Sequence, residues 1–149
     1  MSFKLPVSVL VVVHTAALDV LLLERAARPG YWQSVTGALD RAEEPLAATA
    51  RRELHEETGI DAAAGRLEPW NIVNRFEIYP QWRHRYATGV THNTEHVFGL
   101  LLPQRLPVTL APQEHTAFQW LAWSVAAALC FSWSNRDAIL RLGARMEPR

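Results

Sequence analysis

A mixed α/β fold is what this sequence predicts, on three observations. Short β-rich runs are interleaved with helical stretches along the chain. One stretch carries its own helix start and stop residues. The composition is that of a globular protein, 49% hydrophobic and 20% charged, with none of the bias that marks disordered or fibrous chains. At 149 residues the chain is expected to form one domain, residues 1–149, large enough to bury an ordinary core.

In order, residues 7–15 and 20–24 are β-rich runs separated by a turn at 17–19, as in a hairpin or neighbouring strands. Arg28, Pro29 and Gly30 break the chain, and residues 32–36 form a short strand ending at Gly37. A helix over 44–58 follows, with Pro45 suited to its first turn and Gly59 to its C-terminal cap. Residues 67–79 alternate as a strand does, for example Phe76, Glu77, Ile78 and Tyr79. Residues 81–93 are polar and include Gly89, so they are expected to be mostly loop. Residues 96–102 and 118–123 are strands, 124–130 a short helix, and 135–146 a longer one with Ile139, Leu140 and Leu142 on its apolar side.

Composition excludes several function classes. Fifteen basic residues balance fifteen acidic ones, so no global field recruits nucleic acid or an anionic membrane. Cys130, the single cysteine, cannot form an internal disulfide and suits a reducing compartment. No apolar run approaches membrane-spanning length. Lys4 and Pro6 lead into a strand-like run, not a cleavable leader. A soluble cytoplasmic protein is expected. The six histidines lack zinc spacing, and Cys130 is expected to be an inert core thiol.

The helix over 44–58 is the most informative stretch. At about 100° per residue, Glu53 and Glu57 share a sector with Leu46 and Ala50, so both carboxylates should face the protein, with Glu56 at the edge of that sector. Like charges four apart disfavour a helix, and burying them is costly without a positive partner. Mg²⁺, which takes carboxylate oxygens, water and substrate phosphates, would serve. The competing reading is a solvated helix with Arg52 paired to Glu56.

The run Arg52, Glu53, Leu54, Glu56, Glu57, Gly59, Ile60, preceded by Gly37 and Glu44, resembles the signature of the Nudix hydrolases. The resemblance implies Mg²⁺-dependent cleavage of a nucleoside-diphosphate-like linkage and a Nudix-type α/β/α sandwich with a mixed β-sheet. One departure lies at its head: six residues separate Gly37 from Glu44, where the family usually has five. That lengthens the loop before the helix without moving the carboxylates on it.

Segments beyond the signature (6–9, 32–37, 83–86, 89–91, 93–95 and 132–136) are similar to a bacterial branch of the family. That branch releases pyrophosphate from a pterin triphosphate on the way to folate. The resemblance implies catalytic residues Glu53, Glu56, Glu57 and Glu114, with Glu53, Glu57 and Glu114 on the metal. Glu95, just before a buried strand, is the alternative third carboxylate. Arg52 would brace the loop and the glutamates. Substrate contacts would come from Lys4, Arg25, Thr36, Phe76, Glu77, Ile78, Tyr79 and Ser132. Phe76 or Tyr79 stacking on a flat ring is worth about 1 kcal/mol, although alternate residues of a strand are equally plain core. Arg83, His84 and Arg85 either meet phosphates or a partner, or lie in a solvated loop. Trp120 and Trp123 are expected in the core.

Three functions follow from these residues: a pterin triphosphate pyrophosphohydrolase, a (deoxy)nucleoside triphosphate pyrophosphohydrolase, or a non-catalytic module that binds a nucleotide-like ligand. The expected partner is a small-molecule triphosphate, with no nucleic acid and no membrane. The intact set of glutamates favours catalysis.

Overall fold

The computed structural model describes residues 2–146. Seven strands, Val7–Thr15 (β1), Asp19–Arg25 (β2), Trp32–Gln33 (β3), Val35–Ala38 (β4), Arg66–Glu77 (β5), His92–Leu102 (β6) and His115–Ala122 (β7), form one mixed sheet. Its main path runs β3-β2-β1-β6-β5, with β4 paired to β1 and β7 to β2. β1 and β6 are parallel, and the other strand pairs are antiparallel. Three helices complete the fold: Leu46–Thr58 (α1), Trp123–Leu129 (α2) and Trp133–Met146 (α3). None of them is long and apolar enough to cross a membrane.

The pleat of β1 sorts the layers. Val9, Val11 and Val13 pack with Ala50 and Leu54 of α1, together with Phe98, Leu100 and Leu102 of β6. Leu10 and Val12 point the other way, toward Ala126 and Ala127 of α2, Ala138, Ile139 and Leu142 of α3, and Val97 of β6. A sheet apolar on both faces must be covered on both. The result is the α/β/α sandwich, and Trp120 and Trp123 pack against these two cores as expected.

α1 begins slightly later than the sequence suggests. Pro45 is extended (ψ 138°) and caps the helix, its carbonyl accepting from Thr49 N–H at 3.0 Å. Gly59, at φ 73°, ends it as expected, donating to His55 O at 2.9 Å. β6 starts at His92, four residues before its apolar run, and β7 starts at His115. Residues 80–85, expected as loop, form a 3₁₀ turn, and so do 62–64. β5 breaks register between Pro69 and Val73, where Asn71 sits at φ 58°, a conformation asparagine tolerates at a bulge.

Gly99 lies under Trp70, where an added Cβ would come within 2.3 Å of the indole. Trp70 is only 7% exposed and cannot swing out of the way. Gly99→Ala is therefore expected to cost about 2 kcal/mol through overpacking, read as a lower denaturant midpoint with an unchanged slope.

Candidate active site

One cleft of about 940 Å³ opens where α1, β4, the start of β6, the 80–86 segment and the start of α3 meet. This volume suits a drug-sized ligand.

Its acidic wall is α1. Glu57 is 2% exposed, and the Glu53 side chain 13% exposed. The two carboxyls hydrogen-bond to each other. Burial pushes both upward from the usual carboxylate range, and Glu57 is raised further by Glu53 and by the charge of Glu114. Glu57 takes a backbone hydrogen bond from Thr36, yet its Oε1 is buried with no partner. His115 Nε2 stands 3.8 Å away, but burial and the neighbouring Arg25 lower that imidazole to about 4. Near neutral pH it is uncharged and offers Glu57 no ion pair.

Glu53 reaches its place over a glycine. A Cβ on Gly37 would stand 2.1 Å from the Glu53 carboxyl carbon, so the long loop after Gly37 leaves the close approach intact. Arg52 holds the arrangement. Its Nη2 donates to Glu44 Oε1 at 3.0 Å and Ala38 O at 3.1 Å, its Nε to Glu44 Oε2 at 3.1 Å, and its Nη1 to Glu53 at 2.8 Å. Asp40 and Glu56 lie at 3.1 and 3.4 Å. Arg52 lowers the Glu44 carboxyl to about 2, helped by Asp40 N–H and Thr49 Oγ1. Arg52 thus braces the loop and the glutamates, while Glu56, its side chain 53% exposed, stands at the edge.

The facing wall is cationic. Lys4 and Arg25 line the cleft, as does Arg85, which the sequence left between phosphate contact and solvated loop. Burial, then mutual repulsion with Arg85, lowers both Lys4 and Arg25, and the acidic wall partly restores them. Arg25 donates to Gln33 at 3.1 Å and lies over the Trp82 ring, 4.8 Å from its centroid.

Thr36, Phe76, Glu77, Ile78, Tyr79 and Ser132 all line the same cleft. Phe76 meets Trp133 edge-on at 6.4 Å, and Tyr79 meets Trp82 edge-on at 5.2 Å. Thr36 Oγ1 is committed to Val9 O, Ser132 Oγ accepts from Asn135 N–H, and Glu77 pairs with Arg83. Glu114 is exposed on the rim and Glu95 buried deep in the cleft. Gln33, Trp82 and Phe131 are lining residues that the sequence reading passed over. They lie on β3, on the 80–85 turn and in the link between α2 and α3, and no spacing links them.

Among the described residues, no three His, Cys, Asp or Glu side chains already converge as a metal cage. The pair Glu53 and Glu57 nevertheless fits a divalent cation. An orphaned carboxylate oxygen beside a second buried carboxylate needs positive charge, and hard cations take such oxygens.

This fold with this acidic helix defines a class, and comparison with known proteins bears it out. The NUDIX domain model matches residues 4–142, so the chain belongs to the Nudix family, whose hydrolases generally use a divalent metal. It is 45% identical to a dihydroneopterin triphosphate diphosphatase of Escherichia coli (strain K12), over 92% of this chain and 91% of that protein. It is 37% identical to the Haemophilus influenzae protein of the same name, over 93% and 88%. The solved E. coli dihydroneopterin triphosphate pyrophosphohydrolase superposes with a TM-score of 0.89 at 42% identity, covering 97% of this chain and 99% of that one.

A raised folded-state pKa means the native state is penalised once pH climbs past the ordinary carboxylate value. Glu57→Gln is therefore expected to raise the metal-free thermal midpoint at pH 7 by a few degrees, and the gain should vanish toward pH 4. A divalent cation should stabilise the wild type and barely move the variant. A lower midpoint for metal-free Glu57→Gln at pH 7 would contradict this.

Glu44 has the opposite sign. Its depressed pKa contributes stability that is present above the usual carboxylate range and lost as pH falls toward 2. Glu44→Gln should cost about 2 kcal/mol near pH 7 and flatten that acid dependence in a denaturation series.

Proposed function

We propose that the protein is a Mg²⁺-dependent hydrolase that releases pyrophosphate from 7,8-dihydroneopterin triphosphate, leaving dihydroneopterin monophosphate for folate biosynthesis. It would work as a single domain over residues 1–149. The observation that carries this reading is the pairing of two walls: a buried carboxylate pair with an orphaned oxygen, facing Lys4, Arg25 and Arg85 across one cleft. A triphosphate with its divalent counter-ion meets both requirements. The relatives' substrate supplies the rest of the ligand.

Glu53, Glu57 and Glu114 would hold Mg²⁺, with Glu56 in support; once bound there it would neutralise phosphate charge and make water easier to deprotonate. Between the two acidic candidates outside α1, the sheet favours Glu114. Glu95 shares a face of β6 with Val97, on the α2 and α3 side, whereas α1 covers the other face. Glu114 also interacts electrostatically with Glu57 and Arg25.

Glu114 would orient the attacking water and take its proton. The water oxygen bonds to phosphorus, the phosphorus–bridging oxygen bond breaks, and pyrophosphate leaves with its charge held by Lys4, Arg25 and Arg85. Phe76 offers the ring an apolar face, and Thr36, Glu77, Ile78, Tyr79 and Ser132 complete the substrate pocket.

The test is a comparison of kcat/KM for pyrophosphate release, with Mg²⁺, from dihydroneopterin triphosphate and from the eight common nucleoside triphosphates. A preference for the pterin of about 10-fold or more, equivalent to about 1.4 kcal/mol, is expected. A nucleotide preference would keep the metal site and discard the substrate. No release from any of them would leave the binding module.

A further inference from the structure

The deep end of the cleft holds a polar group that the chemistry above does not use. Glu95 is 5% exposed. Asn74 Nδ2 donates to it at 3.4 Å, and the Ser134 hydroxyl also bonds it. Asn93, two residues earlier on the same face of β6, is 6% exposed. Its Nδ2 donates to Ser8 Oγ at 2.7 Å, while its Oδ1 is buried with no partner. Both residues line the cleft. No lysine or arginine salt-bridges Glu95 among the described residues. Glu95 thus takes two neutral donors and no cation, and the Asn93 carbonyl oxygen beside it takes none. A carboxylate has about four lone-pair sites, so the deep end keeps acceptor capacity for a ligand's N–H groups.

The surroundings shape what can supply them. Phe76 stands directly across from Asn93 on β5, and Asn74 across from Glu95. Trp133 closes on Phe76 edge-to-face. A flat ring lying against Phe76 therefore presents its edge to Asn93 and Glu95.

The sheet also sets the distance to the reaction centre. Val9 pairs with His96 of β6 on one side and with Gly37, beneath Glu53, on the other. Two strand spacings, about 10 Å, separate those backbones. That is the lateral offset only. Glu95 lies on the α2 and α3 face and Glu53 on the α1 face, and the one cleft that both line joins them. A bicyclic ring held at Glu95 would need its side chain to carry the phosphates around the sheet edge to the acidic helix.

We infer that Glu95, with Asn93, is the specificity-determining subsite for a heterocycle edge with adjacent N–H donors, the amino, ring N–H and oxo edge that is 2-amino-3H-4-oxo in pterins and 2-amino-1H-6-oxo in guanine. The inference rests on the triphosphate reading above and assigns the ring end of that same site. Glu95 accepts from the ring N3–H and one amino hydrogen, and Asn93 Oδ1 accepts the other amino hydrogen. Adenine presents an acceptor beside its amino group and meets the carboxylate with one bond and one repulsion. Burial already pushes the Glu95 carboxyl upward, so two arriving donors stabilise its charged form. A site whose buried acceptors are left unpaired by the wrong ring rejects that ring strongly.

The test uses Glu95→Gln, which keeps the shape and replaces one acceptor with a donor, and Asn93→Ala as a second variant. Fluorescence titration of metal-free protein with neopterin reads the ring subsite without phosphates or catalysis. Parallel kcat/KM values for dihydroneopterin triphosphate, GTP and ATP read it in turnover. Glu95→Gln is expected to weaken neopterin binding about 30-fold and to lower the pterin-to-ATP and GTP-to-ATP ratios of kcat/KM by a similar factor, with Asn93→Ala smaller in the same direction. Equal losses on all three triphosphates, or no loss of neopterin affinity, would overturn the assignment.

Should the wild type show no pterin preference, the pterin reading fails, and the GTP-to-ATP ratio then decides the subsite. A selective fall in Glu95→Gln retains it for guanine, and an unchanged ratio overturns it. Should Glu95→Gln fail to fold, judged by its thermal midpoint, Asn93→Ala carries the same comparison.

Discussion

Arg52 ties the loop after β4 to the helix that carries the buried carboxylates Glu53 and Glu57, and the geometry of the cleft's acidic wall depends on that tie. Its guanidinium grips Glu44 through two nitrogens and the Ala38 carbonyl through a third bond, while its remaining nitrogen reaches Glu53. Arginine suits this because its planar fork meets a carboxylate with two parallel bonds and stays charged when partly buried. Glu44 is in turn held by Asp40 N–H and Thr49 Oγ1. The loop can therefore carry an extra residue without loosening the ground beneath Glu53.

With Glu53 held over Gly37, Glu57 has nowhere to go but inward. The inward sector of α1 thus places two neighbouring carboxyls in a poorly solvated pocket. The cationic wall opposite eases their repulsion without touching the carboxylates. Lys4 and Arg25 are themselves disfavoured by burial and by Arg85, so both walls are under electrostatic tension until a ligand arrives. A phosphate chain with a divalent ion, the ligand proposed above, would relieve both at once. Such pre-set charge is the main means by which an enzyme lowers the barrier to phosphoryl transfer.

Much of this was legible in the sequence, because the signals lay within one helix. The inward sector of Glu53 and Glu57, the cap at Gly59 and the strand at Val7–Thr15 follow from local periodicity and turn chemistry, and the structure keeps them. The start of β6 did not. His92 and Asn93 fall in the expected loop over 81–93, and the sequence predicts a strand only from His96, because the inward positions Asn93 and Glu95 are polar, and a polar inward face erases the apolar alternation that marks a strand. Arg85, Gln33, Trp82 and Phe131 meet in the cleft only through the sheet order and the 80–86 segment, and no linear spacing encodes that. Asn93, Glu95, Gln33, Trp82 and Phe131 line the cleft, so several of the residues least legible in the sequence are ones that shape the site.

The acidic wall and its proposed chemistry rest on Glu53 and Glu57 forming a buried pair of neighbouring carboxyls that fits a divalent cation. Carbon-detected NMR titration of the glutamate carboxyls, with and without a divalent ion, tests it directly. The metal-free pair is expected to titrate in two steps, one of them well above the usual carboxylate range, and saturating Mg²⁺ to bring this upper step down. Two ordinary carboxylate titrations in the metal-free protein, unmoved by Mg²⁺, would contradict it.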